Sequence, residues 1–320
     1  MLAAAVVILC WATLAASLCG QAITQPVMLI VLALLVAFVG LPHGAADHRF
    51  ARSRLLPRLG RAWLPLFLTG YLATAAVVVA GWVLAPAATI VLFLLASAWH
   101  FGQEEPRPYS VSRILRPLVR FARGGLVIWT PLIFRHEEVL QILRSVAPTN
   151  SAAAVAAVAD PLRLLSVVMF AVTALALATQ FFAAASRSGQ RRRVLLGDCL
   201  LVVSLMLLFG VADTLVSFAI YFCGWHSARG LSRLRRELGE SWRQLAVSLA
   251  PLTAGAIALT ALTVGLLLPA VTWDETLVRT IFIGLSAVAV PHLLLHGVKV
   301  PVGPAGWSWR LLSLQTGSPA

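Results

Sequence analysis

Long apolar runs alternate with short, arginine-rich polar stretches from one end of this chain to the other. An uninterrupted apolar run of about 18 or more residues reads as a helix that crosses a bilayer. The pattern predicts helices over residues 2–18, 24–41, 63–84, 87–101, 117–134, 161–184, 194–210, 213–228, 244–269 and 277–298. The expectation is an all-α polytopic integral membrane bundle of about ten transmembrane helices. Residues 1–320 then form a single membrane domain, with no separate soluble unit. The first run lacks a basic flank before it, which favours a retained span over a cleaved signal peptide. The alanine-rich stretch SAAAVAAVAD (151–160) ends a connection that is expected to carry a short surface helix.

Composition agrees with that pattern. The chain is 60% hydrophobic and 12% charged, about half the charge usual in a soluble domain. A net charge of +13 would suit a nucleic-acid partner, but 21 of the 25 lysines and arginines fall in alternate connections, in the first turns of the span at 117–134 or after the last span. Arg49 to Arg61, Arg107 to Arg123, Arg187 to Arg193 and Arg229 to Arg243 are the main groups. This is the positive-inside pattern of a cell-membrane protein, and it places both termini in the cytoplasm. No nucleic acid is expected, and the lipid bilayer is the partner. Cys10, Cys19, Cys199 and Cys223 are scattered, without the spacing of a disulfide frame or a zinc site.

The histidines change the picture. His43 ends the second span, His100 the fourth, His226 the eighth, and His292 with His296 the tenth. In the ten-span topology all four ends face the cytoplasmic leaflet, whereas His136 lies on the other side. A lone histidine at a helix end usually snorkels to the interface. Four helix ends carrying histidine at one depth point instead to a metal site, because imidazole is the commonest metal ligand and bundles build such sites from facing helices. Neutral imidazoles with open positions suit iron, zinc or copper; haem is the second choice. Asp47 lies four residues after His43, and Glu104 and Glu105 follow His100, so carboxylates stand where they could orient ligating rings. Trp99, Phe101, Tyr221, Phe222 and Trp225 flank the histidines and are candidates for lining an apolar substrate tunnel; an interfacial aromatic belt is the competing explanation.

GLPHGAAD (40–47), the HFG within WHFGQEE (99–105), YFCGWHSAR (221–229) and VPHLLL (290–295) resemble the signature regions of the Brp/Blh family of membrane β-carotene 15,15′-dioxygenases. The resemblance spans about residues 30–300. It implies cleavage of the central double bond of β-carotene by O2, with non-haem Fe(2+), to give two molecules of retinal, and a retinal-binding rhodopsin as a downstream partner. It also implies His43, His100 and His226 as iron ligands. The family usually has a further histidine four residues after His226, and here that position is Gly230. Either His292 or His296 is available as a substitute ligand, with His296, the less typical of the family, the stronger candidate for compensation, and a water-filled position is the favoured expectation. The rival functions are an oxygenase of another carotenoid or lipid-soluble polyene, a non-catalytic carotenoid- or retinal-binding protein, and a histidine-lined ion transporter, which the scarcity of intramembrane acids disfavours.

Overall fold

The computed structural model describes residues 2–21, 23–104, 111–267 and 272–297, and most of these are helical, with no strand among them. In chain order the helices are α1 (Leu2–Leu18), α2 (Gln25–Leu35), α3 (Leu41–Ala45), α4 (Asp47–Leu59), α5 (Trp63–Leu84), α6 (Pro86–Glu104), α7 (Arg116–Gly124) and α8 (Leu126–Phe134). There follow α9 (His136–Val146), α10 (Ala152–Ala185), α11 (Gly189–Val211), α12 (Thr214–Ala219), α13 (Ala228–Leu238), α14 (Trp242–Leu267) and α15 (Trp273–Gly297). Helix therefore overlies every predicted apolar segment.

The expectation of about ten crossings is met in part. Among the described residues six helices are long and apolar enough to cross a membrane, or seven if α7 and α8, bent by 60°, make one span. Residues 25–84 run on as one 60-residue helical stretch, and α1 has only 17 residues. The connection expected to hold one short helix holds α9, and α10 begins nine residues before the predicted start at 161. With 34 residues α10 is about 51 Å long at 1.5 Å per residue, more than a bilayer core requires.

Two features of this fold position the site. Pro42 lacks an N–H, and its ring crowds the carbonyl four residues back. The backbone just before it, Val36–Gly40, widens to a π-helix in which Leu41 N–H donates to Val36 O. A second π-helical stretch, Ile220–Ser227, links α12 to α13 and carries His226. Such single wide turns re-aim the side chains that follow and occur often at functional sites.

The other feature is a backbone-to-backbone crossing of α6 and α7. A Cβ added to Gly102 would stand 2.1 Å from the carbonyl oxygen of Arg120, and one added to Gly124 would stand 2.2 Å from the nitrogen of Gly102. Only glycine permits that approach, which is the way membrane helices commonly pack. The contact pins the end of α6 two residues beyond His100.

Candidate metal centre

Four imidazoles from four separate stretches of chain converge. His43 comes from α3, His100 from the end of α6, His226 from the second π-helical stretch and His292 from α15. The ring centroids of His43 and His226 are 5.1 Å apart, those of His226 and His100 5.3 Å, those of His100 and His292 4.9 Å, and those of His292 and His43 5.2 Å. His100, His226 and His292 are buried, at 8%, 4% and 7% exposure. Nε2 of His43 and Nε2 of His100 are buried with no hydrogen-bond partner. A buried polar nitrogen without a partner costs about 1–3 kcal/mol, so two of them within one cluster of imidazoles make it a candidate binding site.

Asp47 anchors the edge of this cluster. It begins α4 and is 2% exposed. His292 Nδ1 donates to Asp47 Oδ1 at 2.7 Å, and His296 Nε2 donates to the same oxygen at 3.2 Å. The ligand-type atoms of Asp47, His292 and His296 lie within 4.8 Å of one another, which is compatible with a metal. Both imidazoles, however, meet a single carboxylate oxygen at hydrogen-bonding distance. This is the arrangement by which a carboxylate fixes the tautomer of a ligating histidine. His296 is stacked on Phe50 at 4.4 Å and leans toward Asp47.

The remaining predicted residues separate. Glu104 turns away from the imidazoles: its carboxylate accepts from Arg233 at 3.1 Å and its carbonyl from Arg229. Glu105 lies outside the described residues. Phe101 and Phe222 line the cavity that opens from the histidines. Tyr221 and Trp225 are buried, Tyr221 packing edge-on against Phe101 at 5.4 Å. Trp99 is not brought to the cavity and is 48% exposed on the outside of α6. His48 donates to the carbonyl of Ala45 at 2.6 Å, a local contact.

The cavity itself is apolar. It runs from the histidines along α6 as far as Ile90, about 15 Å at helical rise, between Leu94, Phe218, Phe282 and Leu285. A second apolar groove lies across the wall formed by Leu41, Gly44 and Val288, with Asp47, His48 and Tyr71 among its lining residues. Tyr71 is a contributor that sequence reading passed over. Its hydroxyl donates to the carbonyl of Val288 at 2.9 Å and lies 3.3 Å from Asp47 Oδ2. One of three tyrosines in the chain, set within an apolar run, it carried the signal of a polar group needing a partner.

A buried set of imidazole nitrogens at one end of an apolar cavity fits a metal ion that acts on an apolar substrate. The profile of the family described as Beta-carotene 15,15′-dioxygenase matches residues 3–298. The chain is 29% identical to the Beta-carotene 15,15′-dioxygenase of an uncultured marine bacterium (66A03), over 82% of this chain and 90% of that protein. It is 28% identical to the Probable beta-carotene 15,15′-dioxygenase Blh of Halobacterium salinarum, over 69% of each. No solved structure matches it. With the family profile covering nearly its whole length, this membrane protein belongs to the β-carotene 15,15′-dioxygenase family.

Proposed function

We propose that this protein cleaves the central double bond of β-carotene with O2, giving two molecules of retinal, at an iron held by His43, His100 and His226. The observation that carries the reading is the convergence of these three imidazoles, two with unpartnered Nε2 atoms, at the end of an apolar cavity. Bound Fe(2+) would supply the activation of dioxygen, both of whose atoms end in the two aldehydes.

The protein's own part is binding, orientation and exclusion of water. β-Carotene dissolves in the bilayer, so a cavity inside the helix bundle receives it without a passage through water. Leu94, Phe218, Phe282 and Leu285 hold an apolar polyene arm along the cavity. Phe101 and Phe222 flank the histidine end and restrict which bond is presented there. His43, His100 and His226 must be neutral to offer their nitrogens to a metal.

The protein sits in the cell membrane with both termini cytoplasmic and about ten spans, a topology supported by the side bias of its arginines. The site then lies in the cytoplasmic half of the bilayer, from which retinal can pass to a retinal-binding rhodopsin. The test is expression in cells that make β-carotene, beside metal analysis of the purified protein. Retinal with about one iron per chain is expected. Iron with no retinal points to a different polyene substrate, and absence of both iron and retinal points to a carotenoid-binding protein.

A further inference from the structure

We infer that His292 is the fourth metal ligand, oriented by Asp47, and that Gly230 exists to let His43 reach the same ion. The inference rests on the metal site proposed above and adds a ligand to it. It starts from the spacing of the rings. With a metal–nitrogen bond of about 2.1 Å, the centroid of a ligating imidazole stands about 3.3 Å from the ion, so two such rings at 90–109° have centroids about 4.7–5.4 Å apart. The four neighbouring spacings in the cluster run from 4.9 to 5.3 Å. His292 meets this condition toward both His43 and His100, as His226 does.

The hydrogen bonding of His292 agrees. Nδ1 donates to Asp47 at 2.7 Å, which leaves Nε2, at the other edge of the ring, as the lone-pair nitrogen. His296 contacts the same carboxylate while stacked on Phe50 and about one third exposed, so it supports Asp47 and stays out of the ring of four.

Gly230 completes the argument. A Cβ there would lie 2.3 Å from Cε1 and 2.5 Å from Nδ1 of His43. The position one helical turn after His226 is thus filled by the His43 ring itself. A histidine at 230 and His43 in its present place exclude one another.

The proposal is tested on the full-length purified protein, by metal affinity under anaerobic conditions and by spectroscopy. Wild-type protein with 15N-labelled histidine, loaded with Cu(II), should show four coordinating imidazoles in pulsed electron paramagnetic resonance; three would overturn the proposal. His292→Ala should weaken Co(II) binding at least about 100-fold, beyond the range for a group that only orients a ligand, and shift the Co(II) visible bands. His292→Gly should recover binding when free imidazole is added. Gly230→His should lower affinity by displacing His43, and a rise in affinity would overturn the proposal. If His292→Ala keeps affinity within about threefold and leaves the Co(II) bands unmoved while His226→Ala abolishes binding, His292 is no ligand and the three-histidine site stands. If none of the variants alters binding, the metal site itself is wrong.

Discussion

Arg123 of α7 and Asp198 of α11 are buried together, as the histidines are, yet the two clusters are finished differently. Arg123 Nη2 donates to both carboxylate oxygens of Asp198, at 2.8 and 2.9 Å. Gln180 of α10 adds a third bond to that carboxylate at 2.7 Å and a fourth to the carbonyl of Leu195 at 3.2 Å. Charge meets charge, and the carboxylate is saturated by protein groups. In the histidine cluster the partners run out: Nε2 of His43 and Nε2 of His100 are buried with nothing to bond. A buried polar cluster that closes around its carboxylate holds helices together. One that leaves buried nitrogens unpaired is open to a ligand.

The largest effects should follow from emptying the open cluster. His43→Ala, His100→Ala and His226→Ala should each remove nearly all bound iron and reduce retinal formation below about 1% of wild type, the scale of a barrier raised by more than 2.7 kcal/mol. Helicity and yield should change little, because Nε2 of His43 and Nε2 of His100 support no protein contact. Iron retained in all three variants would erase the distinction between the clusters.

The closed cluster should respond in the opposite way. Arg123→Met leaves Asp198 buried with its charge unmatched, and breaking such a pair costs about 3–5 kcal/mol. Thermal unfolding in detergent should report a large loss of stability, while folded protein should bind metal with wild-type affinity. Arg123→Met combined with Asp198→Leu should restore most of the stability, since neither charge is then stranded. Failure of the double variant to recover would mean the pair does more than join α7, α10 and α11.

Asp47 lies between the two types, because it saturates one side of an open cluster. Asp47→Asn keeps the shape and removes the charge that holds the His292 ring. Metal affinity should fall by about 10–100-fold, the usual cost of losing a carboxylate behind a ligating histidine. An unchanged affinity with an unchanged Co(II) spectrum would confine Asp47 to packing.

Much of this was legible in the sequence, and what was not has a physical reason. Apolar runs fixed where helices form, since a bilayer leaves the backbone no other partner. His43, His100, His226 and His292 stood out because charge and imidazole are rare in such runs. Crossing number was harder: the break between α7 and α8, and the unbroken run through the arginine-rich α4, depend on packing that hydropathy does not encode. The role of Gly230 could not be read either. In sequence it is a missing histidine, whereas in space it is the room that His43 occupies. Trp99 shows the converse limit, for an aromatic one residue from a site histidine can still face outward on the helix. The wide turn at Ile220–Ser227 has no proline to announce it.

The smallest predicted effect concerns Tyr71, and it tests where the open cluster ends. Its hydroxyl is nearer to the Val288 carbonyl on α15, at 2.9 Å, than to Asp47, at 3.3 Å. One hydroxyl proton serves the closer acceptor, so the bond chiefly ties α5 to α15. Asp47 keeps the His292 and His296 bonds to its other oxygen without it. Tyr71→Phe should therefore lower stability by about 0.5–1.5 kcal/mol, the net worth of one hydrogen bond. Metal affinity should stay within about threefold of wild type, which corresponds to about 0.7 kcal/mol. A fall beyond about tenfold, with stability unchanged, would place the proton on Asp47 and make Tyr71 a positioning residue acting through the carboxylate on His292. The two readouts move in different directions under the two arrangements, so a single conservative substitution separates a helix tie from a support of the metal centre.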